Sequence, residues 1–203
     1  MDPTLSPLHK DALRELGEVA GSSGANAGAK LARRRIVQST AQLHDVPARE
    51  VAKTLGLEGQ KVVGAATKLE GDVRGALLIA FREDVARGMA DLLLARPPRA
   101  TKELGAIEQS ALKEFVNIVS GGYLRTFDAF LGVRARQSVP MFAIADWDPL
   151  VRYTFLGTTP GAQKVWAVAS RLDAGLDAPL HALLLLDGAG LGDVLGAVDA
   201  RMG

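Results

Sequence analysis

The sequence predicts an α+β fold. It reads as an internally duplicated, pseudo-twofold domain in which a mainly antiparallel sheet is covered by two long helices. Three observations carry this. Residues 11–19 (DALRELGEV) read like residues 110–118 (SALKEFVNI), 99 positions further on, and both stretches have helical character. The apolar run Gly75-Ala76-Leu77-Leu78-Ile79 resembles His181-Ala182-Leu183-Leu184-Leu185, as paired buried strands would. The order helix, strands, strand, helix occurs twice, which two copies explain better than a solenoid of many short ones. The chain is therefore read as one domain over 1–203, with repeat one at 1–98 and repeat two at 99–203.

Each element has a local reason. Ser6-Pro7 starts the first helix, Ser as cap and Pro in the first turn, and the helix runs towards Arg35. Its middle, Gly21 to Gly28, is rich in Gly, Ala and Ser, which weaken a helix but let another backbone come close. Ile36–Leu43, Val62–Thr67 and Arg74–Phe81 read as strands, the last two joined by a Glu70-Gly71-Asp72 turn. Val85–Ala95 returns to a helical period and Pro97-Pro98 ends it. In the second half Thr101 is the expected cap of a helix from Lys102 to about Leu131. Strands are expected at Val133–Val139, Tyr153–Leu156, Val165–Arg171 and His181–Leu186, and a closing helix at Leu191–Arg201.

Bulk properties narrow the function. The chain is 48% hydrophobic and 23% charged with a net charge of +1, an ordinary globular composition that suggests no general nucleic-acid or anionic-membrane role. It has no cysteine, hence no disulfide or thiolate metal site, in keeping with a reducing cytoplasm. The first residues lack a basic start and an apolar run, so no signal peptide is expected, and no apolar stretch suggests membrane insertion. His9, His44 and His181 are scattered without ligand spacing, so no metal site is expected. Residues 24–30 do not have phosphate-loop spacing, and Gly188–Gly192 reads as a tight turn rather than a dinucleotide fingerprint. Ser110 has no base nearby in sequence and makes a poor nucleophile.

The chemistry is expected on the second long helix. At about 100° per residue, Leu104, Ile107, Ala111, Phe115 and Ile118 form one apolar stripe, widened by Leu112, Val116 and Val119. Ser110, Glu114 and Asn117 fall together on an arc of about 60° beside it, and Gly121 continues the arc one turn on. Glu114 and Asn117 suit the positioning of a water beside a phosphoryl group. The first copy carries Asp11, Glu15 and Glu18 at the matching places, so an acid stands where the second copy has Asn117.

The pattern Ser110, three residues, Glu114, two residues, Asn117, twenty-two residues, Pro140 resembles the signature of the CheC/CheX/FliY family of chemotaxis phosphatases, which act on phosphorylated CheY. The resemblance covers nearly the whole chain. The first half departs from it at Glu18, where the family has Asn, and at Ala41, where it has Pro. A FliY-type flagellar-switch domain has no residues left over to form it. The resemblance implies a CheC-like hydrolase of a response regulator's aspartyl phosphate, without a cofactor of its own, the Mg²⁺ coming with the receiver domain. It implies that Asn117 positions the attacking water and that Glu114 docks and orients by pairing with the lysine beside the phosphoryl group. Ser110, Pro140 and Gly121 would support them. Asp11, Glu15 and Glu18 would form a degenerate first site, inactive or reduced to docking, because a carboxylate repels phosphoryl oxygens. A CheD-like protein is a further possible partner. The competing reading is a non-catalytic receiver-binding or signalling-array adaptor on the same scaffold.

Overall fold

The computed structural model describes residues 5–146 and 164–202. The strand expected at Tyr153–Leu156 lies outside them. Helix α1 spans Pro7–Ala32. The Ser6 hydroxyl accepts the His9 N–H at 3.1 Å, and Arg33 closes the helix in a left-handed conformation with its N–H on the Ala29 carbonyl. Strands β1 (Val37–Gln38) and β2 (Gln42–Pro47) replace the single strand expected at 36–43. The break falls at Ser39, whose hydroxyl accepts the Arg171 N–H while its own N–H donates to the Arg171 carbonyl. A side chain thus takes over part of the ladder, and the chain turns.

A 3₁₀ turn at Ala48–Glu50 and helix α2 (Val51–Thr54) lead to β3 (Lys61–Gly71) and β4 (Gly75–Arg82). The connection between these strands needs glycine at 71: φ is +110°, and a Cβ there would sit 2.4 Å from the Arg134 carbonyl oxygen. Helix α3 follows at Glu83–Leu93 and α4 at Ala106–Thr126, extended by a π turn over Phe127–Leu131. Then come β5 (Ala135–Gln137), β6 (Met141–Asp146), β7 (Lys164–Asp173), β8 (Leu180–Leu186) and α5 (Gly188–Met202).

Among the described residues the strands form one eight-stranded sheet, antiparallel at every pairing, in the order β1-β7-β8-β4-β3-β5. Strand β2 also pairs with β7, and β6 with β3. Exchanging β1 with β5, β2 with β6, β3 with β7 and β4 with β8 leaves this order unchanged. That palindrome is the arrangement two copies of one unit would adopt.

Both sheet faces are covered, which is why β4 and β8 are apolar along nearly their whole length. On one face Leu77, Ile79, Phe81, Leu184 and Leu186 meet Leu13 and Leu16 of α1, Leu112, Phe115 and Val119 of α4, and Leu191 and Val194 of α5. On the other, Leu78, Ala80, Leu183 and Leu185 pack with Val51 and Ala52 of α2 and with Leu57. Helices α1 and α4 lie against each other through small residues. A Cβ on Gly24 would come within 3.0 Å of the Val119 carbonyl oxygen, and one on Gly122 within 2.9 Å of the Ser23 carbonyl oxygen. The glycine-rich middle of α1 is a helix-packing seam, as its composition suggests.

Two expectations for α4 need correction. Thr101 does not cap it. The buried Asp91 carboxylate accepts the Thr101 N–H at 2.8 Å, and Arg96 donates to the Thr101 hydroxyl, so Thr101 ties down the preceding loop. The helix starts after Gly105 instead. Ile107 is not a core residue but is 63% exposed, because so early in α4 it projects beyond the reach of the sheet. The buried stripe is centred on Leu112, Phe115, Val116 and Val119.

Candidate functional site

Helix α4 presents Ser110, Glu114, Asn117 and Gly121 along one edge of its buried stripe. Ser110 and Glu114 are exposed, and Asn117 and Gly121 are half-buried. Glu114 forms no hydrogen bond or ion pair among the described residues. Among the described residues nothing lies within 4 Å of where a Cβ on Gly121 would stand. The start of the helix is fixed by Glu108, whose carboxylate takes the Arg96 guanidinium at 2.6 Å; that hydrogen bond holds its carboxyl below the usual carboxylate range.

The neighbouring edge of the site is β5 and the chain that follows it. Gln137, opposite Leu69 of β3, donates from Nε2 to Asn117 Oδ1 at 2.7 Å. Ser138 is held to β3 by three hydrogen bonds. Its N–H donates to the Lys68 carbonyl, its hydroxyl accepts the Lys68 N–H, and its carbonyl accepts the Thr67 hydroxyl. Pro140 is half-buried between β5 and β6, where its fixed φ sets the path into β6. Next to Glu114, Lys113 places its ammonium 5.3 Å from the centre of the Phe142 ring on β6. One rim therefore brings together Glu114, Asn117, Gln137 and the Lys113–Phe142 pair.

The first face differs in detail. Asp11, Glu15 and Glu18 are all exposed on α1, and Asp11 pairs with Arg14 at 3.2 Å. Ala41, which stands where the second half has Pro140, is buried and faces Gly17 so closely that a Cβ there would lie 2.9 Å away. Gln38, 99 positions before Gln137, donates from Nε2 to the Gly17 carbonyl and the Ser170 hydroxyl and accepts from the Ser22 hydroxyl. Nothing described holds Glu18.

Sequence reasoning named the α4 residues and Pro140 but missed Gln137 and the Lys113–Phe142 contact. The 99-residue offset from Gln38 was the available signal for Gln137; its use depends on knowing that β5 lies beside α4. Among the described residues no group of three or more His, Asp or Glu side chains is placed to hold a metal ion, and no helix is long and apolar enough to cross a membrane.

No protein-family model matches the chain. Its fold, however, is that of several solved chemotaxis and flagellar proteins. FliY of Thermotoga maritima superposes with a TM-score of 0.79 at 19% identity, over 98% of this chain and 100% of that one. The FliM middle domain of H. pylori gives 0.69 at 10% identity, over 95% and 99%. CheX of Desulfovibrio desulfuricans gives 0.56 at 10% identity, over 85% and 99%. The likeness is one of fold, shared here by proteins with different names, so function has to be argued from the site.

Proposed function

We propose that the protein is a chemotaxis-type phosphatase that hydrolyses the aspartyl phosphate of a CheY-like receiver domain in the cytoplasm, through Glu114 and Asn117. The observation that supports this best is the pairing of an exposed, unpartnered carboxylate with a carboxamide held in place one helical turn further on. Glu114 is free to pair with a lysine of the incoming receiver. Asn117 has an amide N–H to offer a phosphoryl oxygen and, on Oδ1, a lone pair beyond the one taken by Gln137 to accept from a water. Phosphoryl transfer needs mainly this kind of positioning. The Mg²⁺ belongs to the receiver, where it offsets phosphoryl charge, and this chain supplies no metal ligand to the step.

The adaptor reading keeps one observation in its favour: Asn117 Oδ1 is already occupied by Gln137, which leaves less of the carboxamide for a water. It also suits the flagellar-switch neighbours, among them FliM in complex with FliG. Receivers charged with acetyl phosphate separate the two. On the phosphatase reading the wild type accelerates phosphate release from at least one receiver of its host, and Asn117→Ala reduces that by about 10²-fold while still binding, a barrier change of about 2.7 kcal/mol. Binding without acceleration by the wild type selects the adaptor. An unimpaired Asn117→Ala removes the assigned role.

A further inference from the structure

We propose that Gln137 is a positioning residue for Asn117, setting which edge of the carboxamide faces the phosphoryl group. This rests on the phosphatase reading above. The end of an asparagine side chain turns about a broad, nearly two-fold torsion, so on a partly open helix face its oxygen and nitrogen can exchange places. The 2.7 Å bond from Gln137 Nε2 to Oδ1 removes that freedom. It keeps the oxygen turned towards the sheet with one lone pair spare, and the N–H donors turned outward. Donation into Oδ1 also polarises the amide and strengthens those N–H groups as donors.

The anchor is rigid because it comes from the sheet. Gln137 is in register with Leu69 of β3, and the next residue, Ser138, is clamped to Thr67 and Lys68 by its N–H, carbonyl and hydroxyl. Asn117 is thereby fixed by two separate elements, its own helix and β5. Local helix geometry alone would set its Cα but not its amide.

The other half of the molecule shows what such a glutamine does when it is not aimed at a site. Gln38, opposite Leu172 of β7, has its side chain held by Gly17, Ser170 and Ser22. The two side-chain partners differ at the second position, while the Gly17 carbonyl has its counterpart in Val116. The counterpart of Ser22, 99 positions on, is Gly121, which has no hydroxyl to offer. The counterpart of Ser170 in strand register is Thr67, whose hydroxyl donates to the Ser138 carbonyl and takes no hydrogen bond from Gln137. Gln137 instead reaches Asn117, and its own Oε1 is left buried without a hydrogen-bond partner among the described residues. Gly121 thus acts by omission: a serine there would compete for the glutamine.

The test uses a phosphorylated receiver that the wild type dephosphorylates. Gln137→Met keeps the side chain's length and removes the amide group. It is expected to lower kcat about tenfold with KM within twofold, because docking through Glu114 is untouched. In parallel, ¹⁵N relaxation of the Asn117 side-chain NH₂ in the free protein is expected to show it rigid in the wild type and mobile in the variant, with α4 backbone amides unchanged. An unchanged kcat, or an Asn117 NH₂ as rigid in the variant as in the wild type, overturns the proposal while leaving the phosphatase reading standing. A rise in KM with kcat preserved also overturns it, since that is the signature of a docking or structural role. A wild type that accelerates no receiver defeats the phosphatase reading itself, and this inference falls with it.

Discussion

Replacing Asn117 with aspartate makes the sharpest test of the chemistry, since it changes charge and almost nothing else. The two side chains have the same shape, and Gln137 Nε2 donates to a carboxylate at least as well as to an amide oxygen, so the 2.7 Å contact survives. The residue is half-buried and ionises without a large desolvation cost, so folding stability should change by less than about 0.5 kcal/mol. What changes is the encounter with phosphate. Two unit charges about 4 Å apart repel by about 4 kcal/mol at an effective dielectric constant of about 20. Solvent reaching a half-open rim leaves roughly half of that, about 2 kcal/mol. Added to the barrier, this slows hydrolysis about thirtyfold, and the lost N–H donor slows it further. Initial rates of phosphate loss from a charged receiver measure the effect, with thermal melting as the control. An N117D variant within threefold of wild type, with an unchanged melting point, would refute the reasoning and with it the view that a carboxylate disables the first face.

Two further predictions follow from packing and ionisation. Gly122→Ala should destabilise the fold by about 1–3 kcal/mol, because its Cβ would lie 2.9 Å from the Ser23 carbonyl oxygen and from the Ala27 Cβ, and backbone must move. Gly196→Ala, in α5 with nothing within 4 Å, should be neutral or stabilising; equal melting points for the two variants would disprove the seam. Burial, aided by the Arg171 guanidinium, pulls the His181 imidazole down to about 4, so between its ordinary 6.5 and about pH 4 the unfolded chain binds a proton that the folded chain does not. Its contribution is fully present above pH 6.5 and is lost as pH falls through that window; burial lowers His44 in the same sense. Thermal midpoints recorded between pH 7.5 and 4.5 should fall less steeply for His181→Asn, and parallel curves would contradict this.

Much of the architecture was legible because it rests on local periodicity. The Ser6 cap, the glycine-rich seam and the buried runs of β4 and β8 all announce themselves over a few residues, whereas the turn expected at Glu70-Gly71-Asp72 falls later, since Glu70 and Gly71 still pair with β5. What failed to show depends on distant partners. Strand β6 exists because Met141–Asp146 pairs with Lys61–Ala66 of β3, far earlier in the chain, and its mixture of half-buried and exposed positions has no clear period. Thr101 looks like a helix cap until the buried Asp91 carboxylate claims its N–H. In the site, spacing on one helix was enough to bring Glu114 and Asn117 together. Gln137 could not be found that way, since its role is set by strand register and by the missing hydroxyl at Gly121.

On the phosphatase reading, the division of labour between the two faces follows from where the packing burden lies. Helices α1 and α4 meet through Gly24, Gly28 and Gly122, where any added Cβ runs into the partner helix. Residues on that seam are constrained by both halves at once. Glu18 is exposed and Asn117 half-buried, and neither is one of the seam glycines, so a change at Glu18 costs the fold little, whereas one at Asn117 also gives up the bond to Gln137. On that reading, the chemistry of the first face can therefore be lost without disturbing the helix seam. Restoring it is harder, because a carboxamide at 18 would still lack an anchor: Gln38 is committed to Gly17, Ser170 and Ser22, and Ala41 is pressed against Gly17 where the other face has a proline. Several coordinated changes separate the first face from the second, and only one of them is the charge that the sequence displays.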